Sequence, residues 1–503
     1  MSTEETNVIK EKLHRPRILA GREMIVTDYK EVTAENIVDF ITSIETAHDR
    51  NAADIDYLYK YYRGLQPVMY RNKLVRPEIK NLVVENRANE IVSFKTGYLM
   101  GEPVSYIART DKDSIVRNID KLNEFVFNED KASHDKELAD WMHIGGIGYR
   151  LCLPDENYTD DSNATPDDSP FELTVLDPRF TCVVHRNDLA HSVIAGITIV
   201  PGVDGGEKTY YVYTDEKFYT VVGSRVVNTE ENGIGMVPII EYPANTARLG
   251  AFEVVLPLLD AINNVDSNRM DSVEQVVQAL LLFHNVDISD EGFDKMREKG
   301  AIKFKDIDPQ LKAEISYITA SINQNETQTL VDHLYETVLT ICGMPNRNGG
   351  TSTSDTGSAV IMRDGWSAAE ARAKDTELMF KKAEKRTIKV MLKICAALSG
   401  FELKLSDIDI RFTRRNYENI QGKAQVLISM LNCDKIPPRL AFEQCNMFVD
   451  VENAYQQYLE YEERRKEEVL NGNQPNNGGN GPEDGTRDNQ NIAQGQYGGS
   501  EEA

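Results

Sequence analysis

The most unusual local composition lies in the segment GMPNRNGGTSTSDTGSA, residues 343–359, between two stretches with strong helical patterns. Its serine, threonine and asparagine side chains are neutral hydrogen-bonding groups. Gly349 and Gly350 give the backbone conformational freedom, and the segment holds one base, Arg347, and one acid, Asp355. This composition favours many weak polar contacts over catalysis, although by composition alone a connector without a role is the simpler interpretation.

Motifs that carry catalysis are not found in the sequence. There is no GxxxxGK[ST] phosphate loop, no HExxH and no GxSxG. The six cysteines form no CxxC pair, and of the eight histidines only His185 and His191 lie close in sequence. We therefore predict a protein without enzymatic activity, cofactor or metal. The alternative is a nucleic-acid-processing enzyme in which carboxylates such as Asp260 and Asp266 hold a metal.

The chain is strongly acidic, with a net charge of −25 over 503 residues. Such a protein repels phosphate backbones at long range, which argues against a sequence-reading DNA-binding protein. Its length predicts about three domains. The N-terminus lacks the apolar core of a signal peptide, and no apolar run approaches the roughly 20 residues of a membrane span. We therefore expect an origin in the cytoplasm and no membrane partner.

The elements around the polar segment are predicted from the spacing of apolar residues. Residues 33–65 and the stretch RPEIKNLVVENRANEIVSFKTGYLMGEP have helical periodicity. From about Gly148 the period changes to two, which is typical of antiparallel strands, and helical patterns return from Gly250. The sequence therefore predicts an α+β fold that is mainly helical.

The residues after the polar segment predict one long helix. No proline occurs from Ser358 to Ser399, and a continuous helix of that length would reach about 63 Å. Gly365 is its one interior breaker, so we predict a hinge there and expect Gly365→Ala to raise helix propensity by about 1 kcal/mol. A non-catalytic helical scaffold of a large assembly is a second alternative, although a coiled coil would need more apolar a and d positions.

Four local stretches follow one another in a distinctive order along the chain. They are FKTGYLMGEPVSY at 94–106, VPIIEYP at 237–243, LLDAINNVDSNRMDSVEQ at 258–275 and FTRRNYEN at 412–419. With the order of the elements, from about Asp54 to Glu468, they resemble the portal proteins of tailed bacteriophages, above all those of long-tailed phages of Gram-positive hosts. None of the four is a catalytic signature, and their specificity lies in their order and spacing.

The resemblance implies a portal fold with an α/β wing, a two-helix stem, a small α/β clip, a long kinked helix and a helical crown. Carried onto this chain, it predicts the following parts: a flexible N-terminus at 1–33, the wing at 34–248, a stem helix at 249–268, the clip at 269–322, a return stem helix at 323–342, the tunnel loop at 343–358, the long kinked helix at 359–399, the crown at 400–468 and a disordered tail at 469–503.

The resemblance also implies a function. Portal proteins form a homo-oligomeric ring of twelve at one capsid vertex, where double-stranded DNA is packaged, retained and later ejected into the tail. The implied partners are double-stranded DNA without sequence preference, the terminase large subunit, a head-completion or adaptor protein, and the major capsid and scaffolding proteins. The implied location is the virion, after assembly in the host cytoplasm.

Two sets of candidate site residues follow from this resemblance. The first set would face DNA from the tunnel loop and comprises Met344, Asn346, Arg347, Asn348, Gly349, Gly350, Thr351, Ser352, Thr353 and Ser354. The second set lies in the clip and would contact DNA or a partner, although a solvated charge run explains it as well: Lys295, Arg297, Lys299, Lys303 and Lys305.

Overall fold

The structure is a computed structural model that divides the chain into two compact units, Met1–Glu418 and Asn419–Ala503. It describes residues 19–74, 76–110, 112–156, 158, 169–202, 205–277, 280–287, 305–308, 312, 314–318, 324–346, 365–400, 402–413, 420–433, 435–445, 447–448 and 451–471.

The described part of the first unit contains seven α-helices. They are α1 (Ile37–Tyr62), α2 (Arg87–Leu99), α3 (Asp113–Asn128), α4 (Lys131–Gly145), α5 (Leu256–Val277), α6 (Gln324–Cys342) and α7 (Trp366–Leu398). None of the helices among the described residues combines the length and hydropathy that crossing a bilayer requires.

The strands of the first unit are short and mostly antiparallel. They are β1 (Ile25–Thr27), β2 (Ser105–Ala108), β3 (Ile147–Pro154), β4 (Phe171–Leu176), β5 (Thr181–Arg186), β6 (Val193–Val200), β7 (Thr209–Tyr213), β8 (Lys217–Val222), β9 (Arg225–Glu231), β10 (Ile239–Pro243), β11 (Leu280–His284), β12 (Val286–Asp287), β13 (Lys305–Asp306), β14 (Glu314–Ile318) and β15 (Ile408–Arg411).

The described part of the first unit contains two larger sheets and three strand pairs. Six strands pair in the order β1-β5-β6-β7-β8-β9, and three pair in the order β10-β3-β4. Strands β11 and β14, β12 and β13, and β2 and β15 form separate antiparallel pairs. Helix α1 packs its apolar face on the six-stranded sheet, while α7 packs on the three-stranded one. The fold class is confirmed: the chain is α+β and rich in helix.

The N-terminal residues 19–33 are part of the folded unit, which corrects the flexible segment predicted for 1–33. Strand β1 pairs in parallel with β5, and the Arg22 guanidinium lies 2.7 Å from the buried Glu253 carboxylate. The backbone N–H of Gly21 donates to the same carboxylate at 2.9 Å. Residues 1–18 lie outside the described residues.

An extended strap, residues 79–86, is hydrogen-bonded along helix α5. Three of its backbone N–H groups donate to side chains of the helix: Glu85 to Asn263 Oδ1 at 2.9 Å, Val83 to Ser267 Oγ at 3.0 Å and Asn81 to Asp271 Oδ1 at 2.7 Å. The spacings match because two strand residues rise about 6.6 Å and four helix residues about 6 Å. Polar side chains of LLDAINNVDSNRMDSVEQ therefore hold the strap on α5 through this ladder of hydrogen bonds.

A buried cluster of charges joins α7 to helix α4 and strands β3 and β10. Glu384 of α7 lies 2.9 Å from the Lys131 ammonium and 3.2 Å from the Arg150 guanidinium. Lys131 also lies 2.6 Å from Asp135, which pairs with Arg150 as well. The Tyr242 hydroxyl donates to Glu384 at 2.6 Å. The two acids and two bases balance, so the cluster fixes α7 on α4, β3 and β10.

The second unit is a small helical body. It contains α8 (Ile420–Leu431), α9 (Pro438–Cys445) and α10 (Val451–Asn471), which share a core around Leu427, Phe442 and Cys445. Strand β15, within the predicted crown of 400–468, belongs instead to the first unit because it pairs with β2. The remaining part bounds stay predictions.

Candidate functional site: the root of the polar loop

Helix α6 ends at a glycine that leads into the polar loop. Gly343 has a φ of +65°, in the left-handed region that favours glycine. Its N–H donates to the carbonyl of Thr340 at 3.2 Å, and the N–H of Met344 donates to that of Leu339 at 2.8 Å. These bonds satisfy the last carbonyls of the helix, so the direction in which the loop leaves is defined.

Met344 is buried, with 7% of its surface exposed, in the apolar cluster formed by α1, α2, α5 and α6. The prediction that Met344 faces DNA is therefore wrong, because an apolar side chain directly after the helix packs under it. Asn346, two residues after Met344, is partly exposed and interacts with another residue. Residues 347–354, the rest of the first predicted set, lie outside the described residues.

The described residues on the two sides of the polar segment lie close together. Gly365 directly precedes α7 with a φ of +84°. A Cβ built on Gly365 would lie 3.6 Å from the Met344 carbonyl oxygen and 3.7 Å from the Pro345 Cα. The described chain therefore has its two ends close together on either side of the 18 residues 347–364.

An aromatic group holds the returning chain. The Trp366 ring lies 6.1 Å from the rings of both Phe94 and Tyr98, measured between centroids. The Tyr98 hydroxyl donates to Glu370 Oε2, one turn into α7, at 2.9 Å. Phe94 and Tyr98 belong to the stretch FKTGYLMGEPVSY, so that stretch positions the loop root.

The described geometry changes what we expect at Gly365. Because Gly365 is the cap residue of the described helix with positive φ, alanine there should cost about 1–2 kcal/mol of strain instead of adding helix propensity. Gly97→Ala is the matched control: Gly97 lies inside α2, and a Cβ there meets nothing within 4 Å, so it should stabilise by up to about 1 kcal/mol. In thermal unfolding, Gly365→Ala should have a lower midpoint than the wild type and Gly97→Ala a higher one. Equal shifts of the two midpoints would contradict this geometry. The hinge itself stays a prediction.

The second predicted set falls mostly outside the described residues. Four of its members lie outside the described residues: Lys295, Arg297, Lys299 and Lys303. The fifth, Lys305, begins the two-residue strand β13 and is paired there with Asp287.

A different cationic surface was missed by the sequence analysis. Four exposed residues of α7 follow each other at helical spacing: Lys382, Lys385, Arg386 and Lys389. None of the four has an ion pair with a described residue, whereas the neighbouring Lys381 lies 2.6 Å from Glu377. Their spacing of i, i+3, i+4 and i+7 is visible in the sequence and indicates that the four side chains share one face of a helix. It places an uncompensated positive stripe on an acidic chain.

The two carboxylates of the enzyme alternative, Asp260 and Asp266, each have a polar partner in the described structure. The Tyr61 hydroxyl donates to Asp260 at 2.9 Å, and burial raises the pKa of Asp260 to about 6. Burial, with the neighbouring Glu85, also raises the pKa of Asp266 to about 6, and Arg269 lies 3.4 Å away. Across the described residues, no group of three or more His, Cys, Asp or Glu side chains is arranged to hold a metal.

In the described structure, the end of α6 and the start of α7 flank the polar segment 347–364. The chain belongs to the family described as "Phage portal protein, SPP1 Gp6-like", whose model matches residues 41–468. A solved structure described as "Neck of empty GTA particle computed with C6 symmetry" is similar at 11% identity and a TM-score of 0.38, over 72% of this chain and 90% of that chain. No curated protein matches the sequence. Family membership implies a virion component that forms an oligomeric ring with partners at the head–tail connection.

Proposed function

We propose that twelve copies of this chain form a channel at one capsid vertex, through which double-stranded DNA is packaged, retained and ejected. The observation that carries the proposal is the family match over residues 41–468. A protein in this role needs no catalytic group of its own, since the terminase large subunit supplies the energy of packaging.

The loop is the part proposed to contact DNA. A root held by Trp366 and closed between Met344 and Gly365 keeps the base of the loop in place while its small polar residues adapt. Asn346, Arg347 and residues 348–354 would contact phosphates without reading the base sequence. With one base and one acid per loop, each contact is weak, so DNA is confined by the ring and still slides.

The remaining partners are proposed from the same family role. The clip cations Lys295, Arg297, Lys299, Lys303 and Lys305 would bind the terminase, a head-completion or adaptor protein, or DNA. Major capsid and scaffolding proteins would surround the ring in the virion, which assembles in the host cytoplasm. We further propose that the protein has no enzymatic activity and needs no cofactor.

The experiment that tests the proposal withholds this chain during particle assembly. Particles formed in a host that cannot produce it should contain no protected genome, and supplying the chain should restore DNA-filled heads. Filled heads in its absence would overturn the proposed function.

The C-terminal tail should be dispensable for ring formation. Residues after Asn471 are rich in Asn, Gly and Gln, and such a composition cannot offset the entropy of ordering. A chain that ends at Asn471 should have the same assembled mass in sedimentation as the full chain. Monomers alone would show that the tail takes part in assembly.

A further inference from the structure

The cationic stripe of α7 has no role in the function proposed above. Its members, Lys382, Lys385, Arg386 and Lys389, lie on consecutive turns and span about 10 Å of the helix. All four are exposed on the side of α7 away from its buried residues, and none has an ion pair with a described residue. On a chain with a net charge of −25, such a stripe indicates a surface that meets an acidic one.

An acidic stripe lies on the outer side of α1. It comprises Glu35, which stands just before the helix, and Asp39 and Asp49 within it. All three are exposed on the side of α1 away from its buried residues, and none has an ion pair with a described residue. Two cations near this stripe already have acidic partners: Lys208 lies 3.0 Å from Glu45, and Arg50 lies 3.0 Å from Glu23.

The two stripes lie on opposite sides of the first unit. On β5, Val184 packs with α1, whereas the preceding Val183 packs with β3 and β10, because successive strand residues point to opposite faces of a sheet. On β3, Tyr149 packs with Val183, whereas Cys152 packs with α7. The layers therefore follow in the order α1, six-stranded sheet, three-stranded sheet and α7. Each stripe is on the outward side of its helix, so the two point away from each other.

We propose that the cationic stripe of α7 in one copy docks on the acidic stripe of α1 in the next copy around the ring. A closed ring repeats one interface between two different surfaces of the same chain, and these two surfaces carry opposite charge on opposite sides of the unit. Pairing of like stripes is repulsive, so the charges select a head-to-tail order of copies. This inference rests on the ring of the proposed function.

The test reverses each stripe in the purified full chain and measures the assembled mass by sedimentation, without DNA. One variant carries Lys382→Glu, Lys385→Glu and Lys389→Glu, and the other carries Glu35→Lys, Asp39→Lys and Asp49→Lys. Each variant alone should lose the ring, because like charges then face each other at every interface. An equal mixture of the two should form rings again, because each copy then meets a neighbour of opposite charge on both sides.

Matched controls reverse exposed charges outside both stripes. Lys374→Glu on α7, and Glu230→Lys together with Glu231→Lys on β9, should leave the ring mass unchanged. Circular dichroism of the unassembled variants checks that they fold. If a reversed variant does not fold, the corresponding glutamine variants replace it, and they should need about tenfold more protein to form rings.

Rings of wild-type mass from either reversed variant alone would overturn the proposal, and so would an equal mixture that stays unassembled or glutamine variants that assemble like the wild type. Variants that form full rings but bind double-stranded DNA more weakly would show that the cationic stripe contacts nucleic acid instead. A wild-type chain that forms no ring would contradict the proposed function itself, so the two failures are distinguishable.

Discussion

Replacing Glu384 by glutamine should lower the free energy of unfolding of the first unit by about 3–5 kcal/mol, because two buried cations would lose one of their two carboxylate partners. Burial alone would raise the pKa of Glu384, yet Lys131, Arg150 and two tyrosine hydroxyls outweigh it and hold the pKa at about 2. The side chain is therefore charged at every physiological pH. The shift of the urea midpoint at constant protein concentration measures the loss.

Glu377→Gln on the same helix is the control for this prediction. Glu377 pairs with Lys381 near the surface, at side-chain exposures of 15% and 28%, and its loss should cost less than about 1 kcal/mol. Equal effects of the two substitutions would contradict the view that the buried cluster fixes α7 on α4, β3 and β10.

The local patterns in the sequence were sufficient to predict the fold class. The change from helical to twofold periodicity near Gly148 marks the start of β3 at Ile147, and the helix predicted at 323–342 is observed at Gln324–Cys342. These elements have strong periodic patterns because one face is buried and the other is solvated. Family membership was also indicated by the order of four stretches, and the structure assigns physical roles to each of them.

Each of the four stretches contains a residue with a packing or hydrogen-bonding role in the first unit. Tyr98 of the first holds the loop root, and Tyr242 of the second donates to Glu384. Asp271 of the third belongs to the ladder with the strap. Phe412 of the fourth lies 5.5 Å from Phe380, between ring centroids.

The features that could not be predicted depend on contacts between distant parts of the chain. Arg150 and Glu384 are 234 positions apart, and no local pattern indicates which buried charges meet. The same holds for β1, a strand of three residues that is stable only because β5 lies beside it. Met344 was assigned to DNA because the resemblance places the whole of 343–358 in the tunnel loop, and its burial depends on residues of α1, α2 and α5 that are distant in sequence.

Removing Asn348–Ser352 should leave folding and ring formation intact and sharply reduce the DNA that particles package or retain. The loop begins and ends at adjacent positions beside Met344 and Gly365, so 13 of the 18 residues 347–364 can still connect them. Neither α6 nor α7 has to move. The shortened loops would leave a wider opening and make fewer contacts with the duplex.

A permuted loop is the matched control for the deletion. Placing the same five residues in another order preserves length and composition, and contacts with phosphate that do not read sequence should tolerate the change. Arg347→Ala should have a smaller effect than the deletion and weaken only the salt-dependent part of DNA contact.

The most direct test of the proposed channel is the amount of nuclease-protected DNA per particle, measured for the deletion, the permuted loop and the wild type together. We expect a full genome per particle for the wild type and the permuted loop, and a large loss for the deletion, with rings of equal mass in all three. Particles that fill and hold their genomes normally without Asn348–Ser352 would contradict the account and leave the loop as a connector only.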